Sequence, residues 1–154
     1  MLEQPRFNIG QLNPEVFRHL RDMEALIARQ FEPKLYHLIK LRASQINGCA
    51  YCLQMHTAEA LKDGETPERM TALDAWGESP LYTDRERAAL AWVEDVTLIA
   101  DRRAGKAAYD GLAPHFSAEE IGWLTLAIVQ INAWNRIAIS SRSQYQPVGA
   151  SAAA

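Results

Sequence analysis

The chain has only two cysteines in 154 residues, and they lie three positions apart. It has no repeated cysteine motif and no second Cys or His pair at zinc-finger spacing. No β-alternating run of useful length occurs, so a strand-built core is excluded and the fold class reads as all-α. The net charge of -3 and pI near 5.8 leave no basic surplus, and with it no sign of a nucleic-acid partner. No continuous apolar stretch of signal-peptide length follows Met1, which predicts a cytoplasmic, reducing setting. There a lone cysteine pair is more often catalytic or metal-binding than a structural disulfide. Only the segment 121–139 approaches membrane-spanning length, and Gln130, Asn132, Asn135 and Arg136 interrupt it, which argues against a membrane partner.

What is present suffices for one domain. The chain is 48% hydrophobic and 23% charged, long enough to bury a core without staples. Residues 1–12 have no clear period and read as an N-terminal arm, extended in form. Asn13-Pro14-Glu15 starts a helix that runs to about Gln30 and buries Val16, Leu20, Met23 and Leu26 or Ile27. A second helix follows Glu32-Pro33, with Leu35, Leu38, Ile39 and Ile46 as its stripe and His37, Leu41 and Ser44 on another face. A third spans about Cys49 to Lys62 and stops at Asp63-Gly64. Thr66-Pro67-Glu68 opens a short helix that ends near Trp76-Gly77. Thr83 with Glu86, and Ser117 with Glu120, match capping boxes that launch two longer helices. Between those two, a short helix covers Lys106 to Leu112. The last helix is apolar almost all round, so it needs cover on every side, and buried Asn132, Asn135 and Arg136 need partners across the core or an interface. The helical domain is thus 13–143, and 144–154 reads as a loose tail.

The chemistry concentrates in Asn47-Gly48-Cys49-Ala50-Tyr51-Cys52-Leu53-Gln54-Met55-His56. On a helix, offsets of three, four and seven put both sulfurs and the imidazole on one face. Asn47 is placed to cap that helix and Gly48 to relax the turn before it. The thiols then sit at the positive end of a helix dipole, which favours thiolate, and His56 lies one turn below Cys52. Three readings stay open: a redox dithiol, a zinc site of Cys49, Cys52, His56 and His37, or two small core residues. Haem attachment is excluded, because Leu53 stands where the histidine would follow. The dipole favours Cys49 as the attacking thiol, whereas the one-turn contact with His56 favours Cys52. A thioredoxin fold is excluded by the lack of strands.

The run Leu35-Tyr36-His37-Leu38-Ile39-Lys40-Leu41-Arg42-Ala43-Ser44-Gln45-Ile46-Asn47-Gly48-Cys49-Ala50-Tyr51-Cys52, with His56, resembles the core of the AhpD-like alkylhydroperoxidases. These belong to the carboxymuconolactone decarboxylase-like superfamily. Gln130-Ile131-Asn132-Ala133-Trp134-Asn135-Arg136 is similar to their closing helix. The resemblance implies an AhpD-like helical bundle with the CxxC at the start of a core helix, assembled as trimers or hexamers. It implies reduction of organic hydroperoxides with electrons from a lipoyl-bearing or thioredoxin-like thiol donor, and no metal or organic cofactor. By position, Cys52 would attack the peroxide, Cys49 would donate a proton and then resolve the sulfenic acid, and His56 would belong to the proton relay. The family has a glutamate twelve residues before the first cysteine; this chain has His37, which exchanges protons near neutral pH but supplies no fixed negative charge. The rival expectation is a non-catalytic, oligomeric redox-sensing or zinc-binding module built on the same residues.

Overall fold

The computed structural model describes residues 4–146. Among them there are helices and no strand: α1 (Ile9–Leu12), α2 (Pro14–Ala28), α3 (Pro33–Asn47), α4 (Ala50–Lys62), α5 (Pro67–Ala72), a 3-10 turn (Leu73–Ala75), α6 (Asp84–Thr97), α7 (Ile99–Arg102), α8 (Lys106–Asp110) and α9 (Ala118–Ser141). No helix among the described residues is long and apolar enough to cross a membrane.

Local sequence explains most of the boundaries. Both capping boxes form, with Thr83 and Ser117 each accepting from the backbone N–H three residues on while Glu86 and Glu120 reach back. Pro14, Pro33 and Pro67 each occupy a first helical turn, where the missing N–H is no loss. The N-terminal arm, expected to be extended, instead winds into α1, because the Asn8 side chain accepts from Gln11 N–H at 3.2 Å and caps it. Arg6 N–H donates to Ser141 O at 2.8 Å and ties the arm to the end of α9.

The helix enclosed on all sides is α3. It packs against α4, α6 and α9, and every residue from Leu35 to Leu41 is buried. The last helix, which needs cover on every side, leaves Leu126 44% and Val129 49% exposed in the single subunit. Arg136 on α9 is exposed as well. The inward face of α2 also differs from expectation: Val16, Met23 and Leu26 are exposed, while Phe17, Leu20, Glu24 and Ile27 face inward. The reason lies on α9. Trp134 meets Phe17 edge-on with ring centroids 5.5 Å apart and donates to Glu24 at 3.2 Å, and Gln130 donates to Leu20 O at 2.9 Å. An aromatic contact and two hydrogen bonds to α9 thus set the rotation of α2, and the hydrogen bonds are what an apolar count cannot see.

Gln144 and Tyr145 were assigned to the tail, yet Tyr145 stands edge-on to Tyr51 at 5.9 Å. The rest of that tail, 147–154, lies outside the described residues.

Candidate active site

The CxxC pair is delivered by a turn of two residues. Gly48 closes α3 in the left-handed conformation (φ 67°), with its N–H on Gln45 O at 3.1 Å and Cys49 N–H on Ser44 O at 3.0 Å. Cys49 is therefore already the N-cap of α4, and its sulfur accepts from Cys52 N–H at 3.3 Å. The capping role expected of Asn47 belongs to Cys49. Asn47 ends α3 and turns its amide inward, donating to Asn132 Oδ1 at 3.0 Å and Asn135 Oδ1 at 2.8 Å. Asn135 donates in turn to Ser44 Oγ at 3.0 Å, and Asn132 to Thr97 Oγ1 at 3.0 Å. The partners required by the buried asparagines of α9 thus lie within the subunit, clamping the end of α3 behind the cysteines.

The two sulfurs are joined as a disulfide with Cα atoms 5.4 Å apart, and both residues are almost wholly buried. They differ in one respect. Cys52 lines an open cleft of about 870 Å³ between α2, α4 and α9, and Cys49 does not. His56 lines the same cleft.

The protonation state of His56 follows from its neighbours. Its Nδ1 is 2.8 Å from Glu59 Oε2, one turn further along α4. Burial pushes the imidazole below its ordinary value of 6.5, against the hydrogen bond to Glu59, which raises it. The same hydrogen bond lowers Glu59 to about 2, so the carboxylate is ionised and the imidazole neutral. An ionised carboxylate only accepts, so Nδ1 carries the proton and donates it to Glu59. Nε2 is then the basic nitrogen; it is buried and has no partner among the described residues. The helix thus carries Cys52, His56 and Glu59 at spacings of four and three, on one face.

Behind Glu59 lies a charged wall. Lys40, buried on α3, stands 3.5 Å from Glu59 Oε2 and 3.9 Å from Glu24 Oε1. Tyr36 donates to Glu24 Oε1 at 2.6 Å, and its hydroxyl is raised above its ordinary value, first by burial and then by Glu24. Both glutamates are therefore held by donors, and Lys40 sits between them.

His37 lies on the other side of this wall. It lines a second, smaller cleft, with its Nε2 2.7 Å from Asp63 Oδ2, and it is not among the residues around Cys52. The two clefts share Glu24, Lys40 and Glu59. Of the four residues singled out in the sequence, Cys49, Cys52 and His56 come together and His37 is set apart. That separation removes the fourth ligand from the expected zinc set; among the described residues no group of three or more His, Cys, Asp or Glu side chains is arranged to hold a metal ion. Sequence reasoning passed over Glu59 and Lys40. The only available signal was the acid three residues after His56. Arg42, seven residues before Cys49, is directed to Glu94 at 2.8 Å and to Asp74.

A cysteine pair at the start of a helix, with Cys52 lining a cleft beside an oriented histidine, makes the candidate site of this all-helical protein. The chain belongs to the carboxymuconolactone decarboxylase family, whose model matches residues 14–95, and its fold is that of the AhpD-like members. It is 40% identical over 136 residues to YdfG, an uncharacterised protein of Bacillus subtilis, covering 88% of this chain and 92% of the relative. ATU0492 of Agrobacterium tumefaciens, a protein of unknown function for which an AhpD-type role in antioxidant defence has been suggested, superposes with a TM-score of 0.90. Identity there is 44%, covering 93% of this chain and 99% of the other. The debrominase Bmp8 shares the fold at a TM-score of 0.77 and 22% identity, over 89% of this chain and 74% of the other.

Proposed function

We propose that the protein is a thiol-dependent peroxidase that reduces organic hydroperoxides through the Cys49–Cys52 dithiol, in antioxidant defence. The observation that carries this reading is the cleft: Cys52 opens on it beside His56, whose basic Nε2 is buried and unpartnered while Nδ1 is held by Glu59.

In the reduced protein, His56 Nε2 takes the proton of Cys52. The thiolate, at the amino end of α4, attacks the distal oxygen of the hydroperoxide. The S–O bond forms as the O–O bond breaks, and His56 returns its proton to the departing alkoxide. Cys52 is now a sulfenic acid and an alcohol has left. Cys49 attacks the Cys52 sulfur, its proton leaves with hydroxide as water, and the disulfide closes. A lipoyl-bearing or thioredoxin-like dithiol returns two electrons by thiol–disulfide exchange. The competition between Cys49 and Cys52 as attacker is decided in this reading by the cleft, which Cys52 lines and Cys49 does not. Glu59 makes the direct contact to His56, and His37 acts from the second cleft through the wall that the two share.

The working form in this reading is a homo-oligomer, a trimer or hexamer, supported by the apolar residues that α2 and α9 leave exposed, Val16, Leu26, Leu126 and Val129. Sedimentation of the purified protein tests it, a stable monomer being the contrary result. The activity itself is tested by following cumene hydroperoxide with dithiothreitol as donor. Turnover that Cys52→Ser abolishes supports the reading, and turnover that survives this change overturns it.

A further inference from the structure

The cleft's walls say more about the substrate than that it carries a peroxide. Opposite the disulfide, α2 presents Phe17, Arg21 and Glu24 to the cleft at helical spacing. Phe17 and Trp134 form an edge-on aromatic pair there, and Met55 and Ile137 continue the apolar surface. The charged groups of the inner wall are held by one another and by their neighbours: Glu24 by Tyr36 and Trp134, Glu59 by His56, with Lys40 between the two carboxylates. Arg21 is the exception. This exposed residue lines the same cleft, yet it has no hydrogen-bond or ion-pair partner among the described residues. A cation left unpaired above an apolar wall selects for an anion on an apolar body, and a planar guanidinium fork suits a carboxylate.

We propose that the cleft takes hydroperoxides of amphipathic carboxylic acids, the peroxide lying at Cys52, the hydrocarbon against Phe17 and Trp134, and the carboxylate on Arg21. This deepens the peroxidase reading and rests on it for turnover, but not for binding. The cleft of about 870 Å³ leaves ample room for a long hydrocarbon body, more than a small alkyl hydroperoxide needs.

Binding is measured first on the oxidised protein, which cannot turn over peroxide. The probes are the hydroxy acid derived from linoleic acid hydroperoxide and its methyl ester, both below the concentration at which they aggregate, followed by Trp fluorescence. The acid binds more tightly than the ester, Arg21→Gln weakens acid relative to ester about fivefold, and Arg21→Lys restores part of the preference. Equal binding of acid and ester, no binding of either, or a preference that Arg21→Gln leaves intact overturns the proposal. Turnover of the two hydroperoxides is then compared in the reduced protein. If the acid preference is present in binding while neither peroxide is consumed, the substrate-class inference stands as a ligand preference and the peroxidase reading fails.

Discussion

His56 donates its Nδ1 proton to the Glu59 carboxylate across 2.8 Å, and this contact leaves Nε2 as the basic nitrogen of a ring that lines the Cys52 cleft. Glu59→Gln removes the fixed charge and lets an amide N–H compete for Nδ1. Peroxide turnover is expected to fall about 10- to 100-fold, with Cys52 still alkylatable in the reduced protein. Steady-state rates beside a thiol titration check this, and an unchanged rate would remove Glu59 from the site. His37→Gln is expected to lose far less, since its ring contacts Asp63 in the other cleft.

The pH dependence carries a second signature. Burial lowers His56 below 6.5, Glu59 pulls the value back up, and Lys40 presses it further down. The rate therefore holds from neutral pH to below 6.5 and falls only as His56 takes a proton. Lys40→Gln is expected to move that acid limb to higher pH and Glu59→Gln to lower pH, opposite shifts from two residues 3.5 Å apart. Rate profiles between pH 4.5 and 8 read both, and shifts of the same sign would contradict the assignment.

Stability follows the same groups. The fold favours neutral His56 and ionised Glu59, so both contribute fully above their ordinary values of 6.5 and 4.5. The His56 contribution is lost as pH falls through its lowered value, and that of Glu59 as pH falls from 4.5 towards about 2. Urea midpoints are expected to decline in two stages on acidification. His56→Gln should remove the earlier stage.

The turn before the cysteines has its own test. Gly48 has φ 67° with open space where a Cβ would sit, so Gly48→Ala meets only the conformational penalty, about 1 kcal/mol. Asn135→Leu is harsher, because it takes the Asn135 amide from the buried Ser44 hydroxyl and leaves Asn47 with Asn132 alone; about 1–3 kcal/mol is expected. Urea unfolding of each variant measures both.

Signals confined to a few neighbouring residues were the legible ones. Thr83 and Ser117, with their glutamates, located two helix starts, and the cysteines with His56 located the site, since each depends on spacing along one helix. Misreadings arose where a second helix decides. Asn47 has the chemistry of a cap, but its amide is claimed by Asn132 and Asn135 from 85 or more positions away. Glu59 looks like a solvated helix acid until Lys40 of α3 is beside it. The place of His37, beside Asp63 in the second cleft, likewise follows from how α3 packs and not from spacing along one helix.

The account rests most directly on the reactivity of Cys52, and intact-mass thiol counting reads it. The metal-free, fully reduced protein receives one equivalent of an organic hydroperoxide, and it and an untreated control are then alkylated. Rapid loss of both alkylatable thiols to an internal disulfide, with a sulfenic acid trapped on Cys52 in Cys49→Ser, is the predicted result. Two thiols that remain alkylatable, reacting with peroxide no faster than an ordinary cysteine, would contradict it.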